Sequence, residues 1–588
     1  MKKGFLKKLS ICVISAATVL SAASCGFSGV GQNDLSAAIS NLSGLLSSEF
    51  SSAASQITGG IQNEESVPGA VKVEKKYVYQ SASGTGDHDY VEGYCPTLSP
   101  VEFAFNDNGP SLWKPSRDYP YLNSSIDDRN RTMQNLFNTR LSELISAVNQ
   151  SGMKNQKDSL GNIINFTVKD NAYILRADSK LFSVCDITKV VLDPEVPATF
   201  IDTATYDSAT GKELSIDDIV EDEDVFAEAV VEKLYQYYPD ADQHLLCTKK
   251  ELYEDLCQRI DDPSDDPLPF TVSNFGVTVY FAPDEIMDFF YDTVSVCVPF
   301  SGYEGLFDPD HISVSSDYFS MVVPGATFYE ENGNVRMMEC EEFEDSSSWV
   351  TITNIYVGDD VTMFEEEPAY NANDGGAYGA EFYLLHKDGK NYVFADHYYD
   401  NDYRLADVYV VSGNKVKKAK TPNDYAAPSF RNVFPGMTED FVMERRMDIM
   451  RTATVANSFT IDANGLLNNG HSLYYYDATS TDDVGTDTDP SYVSEYTHSY
   501  VTTKVDVPVK KVDSINDPME KGIDIIVPAG HKLQLIATDM NTYAACSIMD
   551  DNTLVLVPVN PEPGHDGSPM YTGSLPLQDA FEGVFWAG

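Results

Sequence analysis

Histidines, a serine with a lysine one turn on, and crowded carboxylates are the side chains through which this chain could do chemistry, so their spacing comes first. The densest set lies in "ADHYYDND", which brings Asp396, His397, Asp400 and Asp402 into one short run. Carboxylates beside an imidazole can hold a divalent ion. In a chain with 91 acidic residues an acidic hairpin rim gives the same letters, and the rim is the preferred reading. The other histidines (His88, His244, His311, His386, His471, His498, His531 and His565) are scattered, and none forms HExxH or another zinc spacing. Ser151 to Lys154, "SGMK", has the spacing of a lysine-activated nucleophile, because on a helix the two would share a face. Gly152 and the end of the preceding helical pattern place it in a loop instead. Neither GxSxG nor a Walker-type phosphate loop occurs. "DDPSDDP" (261–267) and "DDVGTDTDPS" (482–491) concentrate oxygens but lack the calcium loop with its distal Glu. A paired-carboxylate glycosidase has material to draw on, yet no one pair stands out. The expectation is no catalytic residue, no cofactor and no firm metal site.

The elements that would position such groups are mostly strands. In "PFTVSNFGVTVYFAPDEIMDFFYDTVSVCVPF" (269–300), Val277, Val279 and Phe281 face one way, and Val294, Val296, Val298 and Phe300 repeat the alternation after Pro283. The outward set, Thr278 and Tyr280, is the candidate recognition surface. Cys297 between two valines reads as a small buried strand residue. Helical stripes appear at Met133 to Val148, with Gly152 after the end, at Phe226, Val230, Leu234 and Tyr237 before Pro239, and in "TKKELYEDLCQRI". Hairpin turns are expected at Asp388-Gly389 and Gly413-Asn414. The fold class expected is an α+β N-terminal domain, an antiparallel sheet with a few helices, followed by mainly-β domains, the last a small SH3-like barrel. The boundaries are 25–70 for a Ser/Gly/Ala-rich tether, 71–330 for the α+β domain, 331–510 for a β-rich middle domain and 511–588 for the barrel-like one.

The N-terminus supplies an address. MKKGFLKKLS with its four lysines, an apolar run and a small-residue box ending at Cys25 read as a secretion signal over 1–24. The box resembles a bacterial lipobox, with Ala22 where leucine is usual, which implies a diacylglycerol on the Cys25 sulfur and acyl-chain anchoring to the membrane. The expected location is the outer face of the cytoplasmic membrane. After cleavage 588 − 24 = 564 residues remain, and 40 − 4 = 36 basic against 91 acidic residues give a net charge of −55. Such a surface excludes nucleic acid and attracts cationic partners, while also serving plain solubility. Seven cysteines beyond Cys25, irregularly spaced and without CxxC, do not describe a disulfide framework.

One stretch goes further. Tyr119-Pro120, Tyr206-Asp207, Thr210-Gly211-Lys212, Leu214, Asp218, Gly276-Val277, Phe281-Ala282-Pro283 and Glu285-Ile286 occur in order over about 110–308. Together they resemble the extracytoplasmic domain of lysozyme-sensing anti-sigma factors and of some peptidoglycan deacetylases of Gram-positive bacteria, a domain of unknown function. The chain departs from the former in its cleavable signal, and from the latter in lacking a metal-binding Asp and His cluster. The resemblance implies lysozyme or glycan-strand binding. The expected function is a non-catalytic envelope lipoprotein that binds a lysozyme-like cationic protein or peptidoglycan. A cell-wall hydrolase and a solute-capturing lipoprotein are the alternatives.

Overall fold

The structure is a computed structural model. It describes residues 71–81, 90–100, 102–109 and 112–114, most of 166–477, and 500–586 apart from 562–569 and 585; the longest stretches left out within 166–477 are 367–378 and 429–440. Strands in several separate sheets make up most of the described chain, with few helices. The expected helix over 133–148 lies outside the described residues.

Val71–Ser81 and Tyr90–Pro100 form an antiparallel pair. Phe166–Ala177, Leu181–Leu192 and Val196–Asp207 form a three-stranded antiparallel sheet. Its two faces enter different cores. Ile174, Phe182 and Val184 join a large core with Phe319, Tyr383, Phe394 and Phe441. Leu175, Cys185 and Ile187 enter a small one with Tyr280 and Val323.

The two longer helices follow their sequence signals. Asp222 caps Glu223–Tyr237 by accepting from the Val225 amide at 3.1 Å, and Phe226, Val230 and Leu234 are buried. Lys249–Asp261 starts with a capping box in which Thr248 and Glu251 satisfy each other's amides at 3.2 and 2.8 Å. Both helices bury their stripes against Val277, Val279, Phe281, Val296 and Val298 of a sheet formed by Phe270–Val272, Gly276–Phe281 and Val294–Pro299. Only glycine fits at Gly276, since a Cβ there would lie 2.6 Å from the Val298 carbonyl oxygen and 2.9 Å from Cys297 Sγ. Cys297 is a buried strand residue, and its burial pushes the thiol up to about 12.

The outward reading of Thr278 and Tyr280 is corrected by this packing. Thr278 is 5% exposed and Tyr280 2%, and the Tyr280 hydroxyl bonds Thr271 Oγ1 at 2.9 Å. The sheet is covered twice, by helices on one face and by the three-stranded sheet on the other. The Val272 amide donates to Ser183 Oγ, and that of Phe270 to Thr203 Oγ1, both at 2.9 Å, which binds the layers together.

Two further sheets pack face to face. One contains Ala326–Glu331, Asn334–Asp345, Val350–Val357 and Asp360–Glu366 in sequence order. The other runs Tyr318–Met321, Gly379–Lys387, Lys390–Tyr398, Arg404–Ser412 and Lys415–Lys418. Asp388 and Gly389 take φ of 51° and 70°, the paired positive values of a tight hairpin turn. Between the sheets lie Tyr329, Met338, Cys340, Ile355, Leu384, Val393 and Tyr409.

The C-terminal part is a single hydrogen-bonded sheet from Ala427-Pro428 to Phe581-Glu582. Tyr474 pairs with Thr538, and Tyr475 with Ala537. Residue 510, placed from sequence between two units, therefore falls within this sheet. Ile523–Val527 closes one edge, with Ile523 68% exposed.

Candidate functional site

Cys25, Ser151, Lys154, Asp400 and Asp402 lie outside the described residues. Asp396 and His397 are consecutive buried residues of strand Lys390–Tyr398, so their side chains leave opposite faces of the sheet and are not brought together. His397 is held in a chain of ions instead. Its Nδ1 makes a short contact with Glu342 Oε2, and its Nε2 lies 3.2 Å from Asp407 Oδ2, an ion pair whose geometry falls short of a hydrogen bond. Lys418 Nζ reaches the same Asp407 oxygen at 3.0 Å, and Thr353 Oγ1 donates to Glu342 Oε2 at 3.4 Å. Burial alone would lower the imidazole pKa, but the Asp407 and Glu342 carboxylates push it up to about 10. Burial would raise Asp407, yet His397 and Lys418 hold it below the usual carboxylate range. His397 is thus an imidazolium at neutral pH with both nitrogens facing carboxylates, which leaves no lone pair for a metal or a proton. Among the described residues no three His, Cys, Asp or Glu side chains are grouped to hold a metal ion.

The remaining described histidines sit apart, each with local partners. His244 lies 3.0 Å from Asp288 and 3.6 Å from Asp240, His531 is 2.6 Å from Asp550, and His386 Nδ1 is 2.8 Å from Asn391 Oδ1. The residues behind the family resemblance fix turns. Asp207 Oδ1 accepts from the Thr210 amide and hydroxyl at 2.6 and 2.7 Å, and Lys212 Nζ reaches Asp218 at 2.6 Å. Glu285 accepts from the Ala282 amide at 2.7 Å and pairs with the buried Arg259 at 2.8 Å. Tyr119-Pro120 is outside the described residues.

The most distinctive open arrangement of polar groups is on the four-stranded sheet. Glu339 and Glu341 project from the same face of Asn334–Asp345, opposite Tyr356 and Asn354 on the next strand. Glu341 Oε1 accepts from Asn354 Nδ2 at 2.8 Å and, in a short contact, from the Tyr356 hydroxyl. Asn354 is 4% exposed, and its Oδ1 accepts no hydrogen bond. Burial and the charge of Glu341 raise the Glu339 pKa, with no basic group offsetting either effect. On the following strand Met363, opposite Asn354, is 55% exposed. The sequence "MECEEFE" shows the acids; which of them share a face with Asn354 and Tyr356 depends on strand register, which it does not show.

No protein-family model matches the chain, and no curated protein matches it. Among solved structures, a DUF3298-family member from Bacteroides fragilis is similar at 13% identity, with 42% of this chain and 96% of that one covered and a TM-score of 0.28. A DUF3298-family protein from Pseudomonas aeruginosa PAO1 is similar at 13% identity, with 42% and 97% covered and a TM-score of 0.26. Overlap of that size does not establish a shared fold.

Proposed function

We propose that the chain is an envelope lipoprotein, anchored through Cys25 on the outer face of the cytoplasmic membrane, that binds a lysozyme-like cationic protein and does no chemistry on it. The observation that carries this reading is the face bearing Glu339 and Glu341, two carboxylates on an open sheet with no basic side chain to neutralise them. A partner's lysine or arginine would remove that mutual repulsion on docking, and the net charge would steer its approach. The finer fold reading belongs to the same proposal: an α+β recognition domain over 71–330, and an SH3-type barrel near the C-terminus that adds wall contact.

The test is retention of lysozyme on the immobilised full chain at about 0.05 M and about 0.5 M salt. Retention that falls steeply with salt, and falls further in Glu339→Gln/Glu341→Gln, supports the reading. Salt-independent retention, or none alongside tight binding of uncharged glycan, refutes it. Separately, Cys25→Ala should release the protein from membranes; continued membrane association would refute the anchor.

A further inference from the structure

We propose that the outer face of the four-stranded sheet is a calcium-type cation site, built from the Glu339 and Glu341 carboxylates and Asn354 Oδ1. The cluster of acids alone would not say this, because an acidic chain has many. The added observation is Asn354. Its amide is fixed inside the cluster, with Nδ2 2.8 Å from Glu341 Oε1 and 3.2 Å from the Tyr356 hydroxyl, so the carbonyl oxygen of the same planar group sits there too. That oxygen is buried and accepts nothing, and an unsatisfied buried acceptor calls for a missing partner. A protein donor would answer the amide alone, whereas a cation answers the amide and the uncompensated carboxylates together.

The donor chemistry selects the class of ion. All three ligand groups are hard oxygens, with no imidazole or thiolate among them, which suits calcium rather than zinc or copper. Calcium takes six to eight oxygens in a tolerant geometry, so two carboxylates, one amide oxygen and waters are a workable set. Magnesium demands a stricter octahedron, which two side chains spaced along one strand supply less well. The inference shares its face with the cationic-partner reading and stands without it.

The experiment is calorimetric titration of the full chain with calcium chloride in about 0.15 M salt, where diffuse attraction to the acidic surface is screened. Saturable binding is expected with a dissociation constant of roughly 0.1–1 mM, as in extracellular calcium modules. Glu341→Gln should weaken it about tenfold or more, through loss of a charged ligand. Asn354→Ala, which leaves the net charge unchanged, should weaken it as well, whereas Asn354→Asp, which keeps an oxygen in place, should hold or tighten it. Thermal unfolding in calcium-free buffer confirms that each variant is folded, and Glu341, being exposed, provides a variant that leaves the core alone. Binding that never saturates, or that is the same in Asn354→Ala and Glu341→Gln as in the parent, means a counter-ion cloud only and overturns the proposal. Lysozyme retention measured with chelator present fails or holds separately, so the two readings are scored apart.

Discussion

His397 offers the sharpest quantitative test of the ion chain between the two middle sheets. The perturbation is His397→Leu, which keeps the bulk and removes the charge between Glu342 and Asp407. Rising from about 6.5 unfolded to about 10 folded, the imidazole contributes stability that is complete below the unfolded value and lost as pH rises through the folded one. The full shift corresponds to about 5 kcal/mol, and about 4 kcal/mol of it is present at pH 7. Independently, removing one partner from a buried charge network costs about 3–5 kcal/mol. The assay is urea unfolding from pH 6 to 10. The parent should lose stability steadily across that window, and the variant should start about 3–5 kcal/mol lower and lose much less. Replacing Glu342 by leucine as well should recover part of the loss, since a fully apolar substitute for a buried ion pair is often neutral. A single variant costing under about 1 kcal/mol, or a parent profile flat from pH 7 to 10, would refute the imidazolium assignment.

Three further outcomes follow from named contacts. Gly276→Ala should destabilise the helix-covered sheet by more than about 2 kcal/mol, or abolish its folding, because backbone rather than a flexible side chain blocks the new methyl; chemical denaturation followed by circular dichroism reads it. Glu339→Gln should stabilise the protein by about 0.2–1 kcal/mol at pH 7 by relieving like-charge repulsion. A raised carboxylate pKa penalises the fold only above the unfolded value, so this gain should vanish by about pH 4, and thermal melts at the two pH values check it. Thr248→Ala should cost about 1 kcal/mol and speed amide exchange in the first turn of Lys249–Asp261.

What the sequence disclosed was local. Phe226, Val230 and Leu234 state one helix, Thr248 with Glu251 caps another, and Asp388-Gly389 turns a hairpin, because each rests on neighbours within a few residues. Thr278 and Tyr280 misled because alternation reports two faces and not what covers the second one. His397 was visible as a histidine among acids, but the acids that hold it are Glu342 and Asp407, brought from other strands, and not the neighbours in "ADHYYDND". The Glu341, Asn354 and Tyr356 group was hidden for the same reason: strand register creates it.

The sheet that crosses residue 510 has a consequence for how the chain is made. The strand Tyr474–Tyr476 finds its partner in Lys532–Thr538, and Tyr500–Thr503 closes against Phe581-Glu582, almost at the last residue. A chain leaving the ribosome N-terminus first therefore carries open strand edges through the middle of its length until translation is nearly over. A product stopped short by a few dozen residues lacks part of this sheet, and its unpaired backbone amides and carbonyls mark it as unfinished. Completion of the protein is in this sense registered by the fold itself, in the final strand to arrive.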